Sequence, residues 1–276
     1  MSYKIKKFLM SNGERGCLIL DKETQLPVYY QNLYLTTNVR NRSATASTIE
    51  IVATNLLILS NFLKSRNINI INRIEIKGFL SVAEVDDLIR YARQRFDKQK
   101  ITNVRVIKME QVAKRTFSYR IHVFSSYLNW LCGLLHSIKG IHARYEVESF
   151  IESIRAHLPR NKSLSVNNRK DKSLSEEQIK TLFKLLEVEG SQNPFQKEVQ
   201  VRNRLIFTLL LNCGLRAGEL LNLKVNDFNP RGYTLNIFRR HDCIEDRRLN
   251  QPLVKTGERE IPLSDELAME ILDYIN

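Results

Sequence analysis

The sequence predicts a mainly α-helical protein with a small β component, and three observations support this class. Apolar residues recur at helical spacing in most segments after residue 43, whereas strand-like patterns are confined to residues 1–41 and to the segment beyond Leu223. A polar, basic stretch separates two helical regions. The 276 residues suffice for two domains with separate cores. We therefore divide the chain into segments 1–42, 43–159, 160–172 and 173–276.

Residues 1–41 lack helical periodicity. In FLMSNGERGCLILDKETQLPVYYQNLYL, short apolar runs are broken by Asn12-Gly13 and by residues 21–23, a pattern typical of strands joined by turns. The sequence therefore predicts a strand-and-turn accessory segment over residues 1–42. A contact with DNA and a contact between protomers both remain open for this segment.

Residues 43–159 carry four apolar stripes at helical spacing, which predict a compact domain of four amphipathic helices. Ser47 with Glu50, and Ser81 with Glu84, have the spacing of capping boxes ahead of the first two stripes. Pro159 ends the fourth. The stripes fall within residues 49–63, 85–96, 117–135 and 145–158.

Residues 160–172 are polar, rich in serine and asparagine, and strongly basic, which predicts an exposed linker between domains. The charge suits contact with a phosphate backbone, and a solvated tether is the alternative. The basic side chains are Arg160, Lys162, Arg169, Lys170 and Lys172.

The segment 173–276 begins as helices and ends as strands and a helix. Ser175 precedes a helix with acids in its first turn, and a second helix is predicted around residues 202–211. Beyond Leu223, NPRG reads as a turn, YTLNIF alternates like a strand, and PLVKTGEREIPL is typical of a hairpin that turns at residues 256–257. Ser264 caps a last predicted helix.

The composition narrows the classes of partner. Lysine and arginine (43) exceed aspartate and glutamate (30) by 43 − 30 = 13, which favours a polyanion: nucleic acid first, an anionic membrane surface second. The four cysteines are scattered and no histidine lies at metal-ligand spacing, so we expect reduced thiols rather than a disulfide framework or a zinc site. No signal peptide and no uninterrupted apolar run of about 20 residues is evident, which predicts a cytoplasmic protein without a membrane span.

A single arginine interrupts the apolar stretch LLLNCGLRAGELLNL, residues 209–223. Gly214 can end one helix in a left-handed cap, which places Arg216 in the first turn of the next helix, near its positive end. A cation there needs an anion, and a guanidinium binds phosphate bidentately. Glu219, three residues on, either orients Arg216 towards a phosphate or neutralises it in an internal ion pair.

Lys255 stands at the tip of the hairpin predicted in VKTGEREIPL. A lysine near a phosphodiester can protonate a leaving alkoxide, although hairpin lysines more often only aid solubility. Together, NCGLRAGELLNLKVNDF and VKTGEREIPL resemble the catalytic core of the tyrosine recombinases, the phage integrase family, whose first box reads roughly T-G-L-R-x-S-E-L-x-x-L. The four upstream helices and the basic linker resemble the family's core-binding domain, so the resemblance extends over about residues 43–276.

The resemblance implies roles for three residues. Arg216 corresponds to the first catalytic arginine, which holds the scissile phosphate, Glu219 to the acid of the box, and Lys255 to the lysine that protonates the leaving 5′-oxygen. Cys213 and Gly218 replace the usual threonine and serine. The implied fold is a SAM-like helical core-binding domain followed by the N-terminal part of an α+β catalytic domain.

The implied function is site-specific DNA recombination or integration for a mobile element. Such an enzyme cleaves and rejoins strands through a 3′-phosphotyrosyl intermediate without metal or nucleotide. The implied partners are double-stranded DNA and copies of the protein itself, assembled as a tetramer on paired sites.

Two elements of the family's pattern are not found after the hairpin, namely the H-x-x-R box and the nucleophilic tyrosine. HLPR, residues 157–160, has the spelling but precedes the first box, so we reject it, and Tyr274 follows the hairpin by only one helix, so we expect a packing or surface residue rather than the nucleophile. We therefore expect this chain to bind DNA without cleaving it, and leave open whether it is itself an enzyme. It is either an N-terminal fragment of a recombinase, which we favour, or a shortened, non-catalytic DNA-binding regulator.

Further DNA contacts are predicted from clusters of basic residues. One cluster begins the third helix of the core-binding domain, and another follows the YTLNIF strand. For each residue taken singly, a solvated face is the alternative. The predicted contacts are Lys114, Arg115, Tyr119 and Arg120 in the first cluster and Arg239 and Arg240 in the second, with Arg247 and Arg248 nearby.

Overall fold

The computed structural model describes residues 2–96, 111–135, 141–159, 173–254 and 256–276. The chain forms two compact units. One comprises Met1–Met10 and Arg15–Ser163, and the other comprises Ser11–Glu14 and Leu164–Asn276. Described helices predominate in both, and each unit has one small antiparallel sheet, as the sequence predicts.

The first unit opens with an antiparallel pair of strands, β1 (Tyr3–Leu9) and β2 (Arg15–Asp21). The strand prediction for this region is therefore confirmed. It is wrong for the residues that follow, where α1 (Tyr29–Tyr34) continues into a π-helical turn (Leu35–Val39) and a 3-10 turn (Arg40–Arg42). No side chain caps α1, and its stability comes from packing, because Tyr34, Leu35 and Val39 are buried in the core.

The four predicted helices are all present, and a short fifth one was missed. They are α2 (Ala46–Ser65), α4 (Val82–Ala92), α5 (Lys114–Leu135) and α6 (Ile141–Arg155), and the missed helix is α3 (Ile70–Glu75). The predicted stripes face the core: Leu56, Leu88, Ile121 and Ile154 have no accessible surface. Tyr145 is an exception, since 71% of it is exposed.

The helix starts show which capping predictions succeed. Ser81 and Glu84 form the predicted capping box of α4. The box predicted from Ser47 and Glu50 is wrong, because α2 is capped two residues earlier, by Thr45, whose side chain accepts the Thr48 backbone N–H. Thr45 and Ser47 have similar intrinsic capping propensity, so residue type alone does not distinguish them.

The hairpin and the helices share one core. Cys17 and Ile19 of β2 are buried against the helical residues, and Asn32 of α1 both accepts the Ile19 N–H (2.9 Å) and donates to its carbonyl (2.8 Å). The two strands and α1 of the predicted accessory segment thus pack as part of the helical unit, whereas Ser11–Glu14 are grouped with the second unit. Among the described helices, α2 is long and apolar enough to cross a membrane, and 67% of its most apolar window is buried inside the protein.

The second unit contains four α-helices, a 3-10 turn (Val225–Asp227) and a three-stranded antiparallel sheet among its described residues. The helices are α7 (Glu176–Leu185), α8 (Lys197–Cys213), the single-turn α9 (Ala217–Leu220) and α10 (Asp265–Ile275). The strands are β3 (Phe228–Asn229), β4 (Thr234–Ile237) and β5 (Arg259–Pro262), in the order β3-β4-β5. Ser175 and Ser264 cap α7 and α10 as predicted.

The core of this unit lies between α8, α10 and the sheet. Leu205 and Leu209 of α8 belong to the same buried cluster as Leu235 of β4 and Ala268 and Ile271 of α10. The turn predicted at NPRG and the strand predicted at YTLNIF are confirmed. The hairpin predicted in PLVKTGEREIPL is wrong in its pairing, because residues 252–254 form no strand and β5 pairs with β4.

Candidate functional site

The junction between α8 and α9 places Arg216 at the surface. Gly214 ends α8 in the left-handed conformation (φ +59°), as predicted. Leu215 is then buried, and Arg216 takes an extended conformation (φ −77°, ψ 153°) as the N-cap residue of α9. Arg216 therefore precedes the first turn of α9, one position earlier than the sequence indicated.

Glu219 in α9 is the buried centre of the site, with 1% of its surface exposed. Its carboxylate accepts a bidentate pair of bonds from Arg259 in β5, Nη2 to Oε2 at 2.8 Å and Nη1 to Oε1 at 3.1 Å. It also accepts the Thr256 hydroxyl (2.6 Å) and the Arg216 backbone N–H (3.0 Å). The Arg259 hydrogen bonds, more than the others, hold the pKa of Glu219 well below its usual range, so the carboxylate is ionised.

The guanidinium of Arg216 is only loosely engaged. Its side chain is 64% exposed, and among the described residues its one guanidinium contact runs from Nη1 to Glu219 Oε1 at 3.4 Å. Arg259 is therefore the main ion-pair partner of Glu219, and the Arg216 side chain remains largely exposed. An exposed guanidinium beside an already compensated carboxylate can bind an external anion.

Sequence reasoning missed Arg259. The residue lies within the quoted segment VKTGEREIPL, but 40 positions separate it from Glu219. A signal was available, because an acid inside the apolar run LLNCGLRAGELLNL needs a compensating cation. Nothing in the spacing showed whether Arg216 or a residue of the later segment would supply it.

Residues before and after Lys255 in the sequence contact α9. Lys255 itself lies outside the described residues. Its neighbour Val254 is 2% exposed, and its other neighbour, Thr256, donates a hydrogen bond to Glu219. Leu253 approaches Gly218 so closely that a Cβ added there would be 2.6 Å from the Leu253 carbonyl oxygen. Glycine at position 218 therefore permits this contact.

Arg240, predicted to contact DNA, instead forms a structural ion pair. Its guanidinium binds both carboxylate oxygens of Asp227, whose side chain is 2% exposed, and donates to the Asn222 carbonyl (3.2 Å). The same guanidinium lies over the Phe238 ring at 5.2 Å. The sequence could not distinguish Arg240 from its exposed neighbour Arg239, because only the tertiary fold determines which of two adjacent side chains faces solvent.

Arg120 in the first unit is also a structural residue. It is 7% exposed, and its Nη1 donates to the carbonyls of Ala92 and Gln94 at 2.7 Å each, which satisfies the C-terminal end of α4. The prediction that it contacts DNA is corrected accordingly. Lys114, Arg115 and Tyr119 lie exposed at the start of α5. The predicted linker contacts Arg160, Lys162, Arg169, Lys170 and Lys172 lie outside the described residues.

Other candidate chemistry is sparse in the described ranges. His157, from the rejected HLPR stretch, has its Nε2 3.6 Å from Asp86, and Tyr274 is 46% exposed on α10. Those ranges contain no group of side chains that could hold a metal ion. None of the four cysteines forms a disulfide, and burial raises the pKa of Cys17 to about 11 and that of Cys132 to about 12, which disfavours the reactive thiolate of both.

One comparison with known proteins matches most of the second unit. A sequence model of the phage integrase family matches residues 172–276. No curated protein and no solved structure matches the chain. The matched segment contains Arg216, Glu219 and Arg259, the residues that meet at the α9–β5 contact. Residues 172–276 are therefore a domain of the phage integrase family, the tyrosine recombinases.

Proposed function

We propose that this protein acts in site-specific DNA recombination or integration for a mobile element, and that Arg216 holds the scissile phosphate of double-stranded DNA. The observation that carries the proposal is the exposed guanidinium of Arg216 beside Glu219, a carboxylate that Arg259 already compensates. A guanidinium in this setting gains a bidentate partner when it meets a phosphate, without breaking a strong internal pair.

The chemistry that follows is a transesterification. A tyrosine oxygen attacks the phosphorus, a new P–O bond to the 3′-phosphate forms, and the bond to the 5′-oxygen breaks. Arg216 stabilises the negative charge that develops on the phosphoryl oxygens. Lys255 delivers the proton that the leaving 5′-oxygen needs. The attacking tyrosine and the second arginine box are assigned to no residue between 1 and 276.

Exposed basic residues outside the site extend the proposed DNA contact. Lys114, Arg115 and Tyr119 at the start of α5, and Arg239 after β4, are exposed and suited to phosphate or sugar contacts. The linker cations belong to the same proposal by their charge alone. The formal net charge of +13 supports a polyanionic partner. We further propose that copies of the protein assemble as a tetramer on paired sites.

A salt titration of DNA binding tests this function. The purified chain is titrated onto a fluorescent duplex of mixed sequence between about 50 and about 200 mM salt, and the slope of log affinity against log salt counts the phosphates neutralised. We expect a steep slope, and we expect Arg216→Ala to weaken binding and reduce the slope by about one.

Arg231 provides the matched control, because it is an exposed arginine of the same unit in the turn between β3 and β4. We expect Arg231→Ala to bind like the wild type. Affinity that hardly changes with salt, or an Arg216→Ala variant with the slope of the Arg231→Ala control, would overturn the proposed function.

A further inference from the structure

We propose that Arg259 is a positioning residue of the phosphate site: by holding the buried carboxylate of Glu219, it keeps the guanidinium of Arg216 available to DNA. This inference rests on the proposed function, since it presupposes that Arg216 binds a phosphate. Arg259 itself needs no contact with the nucleic acid in this role.

The geometry distinguishes the two arginines around Glu219. Arg259 meets the carboxylate fork to fork, with one nitrogen on each oxygen at 2.8 and 3.1 Å. Arg216 reaches only Oε1, at 3.4 Å, and its side chain is nearly twice as exposed, 64% against 35%. Bidentate guanidinium–carboxylate pairs are shorter and stronger than single contacts, so Arg259 supplies most of the compensation.

A buried, ionised carboxylate is strongly destabilising without a cation beside it. Arg216 and Arg259 therefore compete to pair with Glu219. The charges and donors that face Glu219 are Arg216 at the start of its own helix, Thr256 in the following loop and Arg259 in β5. If Arg259 is removed, Arg216 is the described cation that already touches the carboxylate. Its guanidinium would then be drawn onto Glu219 and its donors withdrawn from solvent, because leaving the carboxylate unpaired costs more.

Arg259 also ties the site to the segment that precedes β5. Its Nη1 donates to the Thr256 hydroxyl (3.2 Å), which in turn donates to Glu219 (2.6 Å). Arg259, Thr256 and Glu219 thus form a closed triangle of hydrogen bonds that joins α9 to the residue following Lys255 in the sequence. One side chain therefore fixes both the carboxylate and the chain beside the proposed general acid.

The test is a charge-removal series measured by the salt titration described above. We expect Arg259→Met to reduce the salt slope by about one, as Arg216→Ala does. We expect the double variant Arg259→Met/Glu219→Gln to return towards the wild-type slope, because a neutral amide no longer draws Arg216 away from the phosphate. A merely structural role for Arg259 predicts the opposite, since removing the second partner would not repair the damage.

Circular dichroism melts establish that each variant is folded. Where Arg259→Met does not fold, Arg259→Lys replaces it, because lysine keeps the charge and lacks the planar fork that holds both carboxylate oxygens. Its slope is again expected to fall below that of the wild type and to recover when Glu219→Gln is added.

The outcomes separate this inference from the proposed function. If Arg216→Ala leaves binding unchanged, the proposed function fails and the inference with it. If Arg216→Ala reduces the slope but the Arg259 variant does not, the inference alone fails. If the Arg259 variant reduces the slope and Glu219→Gln does not restore it, Arg259 contacts DNA directly or only supports the fold, and the inference is again overturned.

Discussion

At the scale of single residues, the ion pair between Glu219 and Arg259 governs the site. A carboxylate with 1% of its surface exposed is tolerated because two guanidinium nitrogens, a hydroxyl and a backbone N–H all point at it. Arg216 therefore does not have to neutralise Glu219, and its own charge stays at the surface. Under the proposal made above, Arg259 thereby leaves Arg216 available to a phosphate.

The depressed pKa of Glu219 gives a pH dependence of stability with a definite sign. In the unfolded chain the group titrates near 4.5, and in the folded chain lower, so its contribution is complete above about pH 4.5 and is lost as the pH falls through the folded value. We expect the wild type to lose more stability than Glu219→Gln between about pH 6 and about pH 3. Thermal melts across this range measure the difference, and parallel curves for the two proteins would contradict it.

Arg120 and Arg115 make a matched pair of arginines in one helix with opposite expected effects. Arg120→Ala removes the charged donor from two carbonyls at the end of α4, and we expect it to cost roughly 1.5–3 kcal/mol of stability without changing the salt slope of DNA binding. Arg115→Ala is expected to leave the melting temperature unchanged and to weaken DNA binding. A reversed pattern would restore Arg120 as a DNA contact.

At the scale of elements, the contact between α9 and the chain before β5 builds the site. Gly218 is in contact with the Leu253 carbonyl, Thr256 bonds to Glu219, and Val254 is buried in the core. The sheet fixes the other end, because Arg259 begins β5 opposite Ile237 of β4. The short helix α9 is therefore held in place by tertiary contacts, since four residues are too few to be stable alone.

Gly218→Ala tests that contact. The added Cβ would be 2.6 Å from a backbone oxygen, which cannot move without shifting residues 253–254, and we expect a loss of about 1–3 kcal/mol by denaturant unfolding. Gly133→Ala in α5 is the control, because nothing lies within 4 Å of its added Cβ, and it should gain roughly 0.5–1 kcal/mol from helix propensity. Equal effects of the two substitutions would show that the Leu253 contact is unimportant.

At the scale of the whole molecule, the strongly basic chain has two separate hydrophobic cores, one in each unit. The first unit buries the hairpin, α1 and the helices α2 to α6 around residues such as Phe62 and Phe124, and the second buries a smaller cluster around Leu235 and Ala268. The proposed DNA contacts are distributed over both units. Binding should therefore depend on the sum of many weak phosphate contacts, which is the property that salt reveals.

A nicked suicide duplex tests how far the chemistry of this chain extends. We expect residues 1–276 to bind such a duplex without forming a covalent adduct, because HLPR precedes the first box and Tyr274 follows the Lys255 segment by only one helix. Denaturing gel electrophoresis after incubation is the measurement. An adduct lost in Tyr274→Phe would contradict the assignment and identify Tyr274 as the nucleophile.

Local patterns predicted much of this structure. The spacing of apolar residues predicts α2, α4, α5 and α6, Ser81 and Ser264 mark helix starts, and Gly214 marks a helix end. The same reasoning singled out Arg216 and Glu219 as one site. These features depend on residues a few positions apart, and short-range geometry is fixed by the backbone of a helix or a turn.

Only the tertiary structure decided which arginine side chains are exposed to solvent and which are held by internal contacts. The sequence predicts Arg120 and Arg240 as DNA contacts, but in the fold Arg120 donates to backbone carbonyls and Arg240 pairs with Asp227. The sequence does not predict Arg259 as a site residue, and the fold places it against Glu219, 40 positions away. The physical reason is that a sequence gives the charge of a side chain but not its orientation in the fold. Whether an arginine faces solvent or a buried carboxylate depends on contacts between distant elements, which no local spacing encodes.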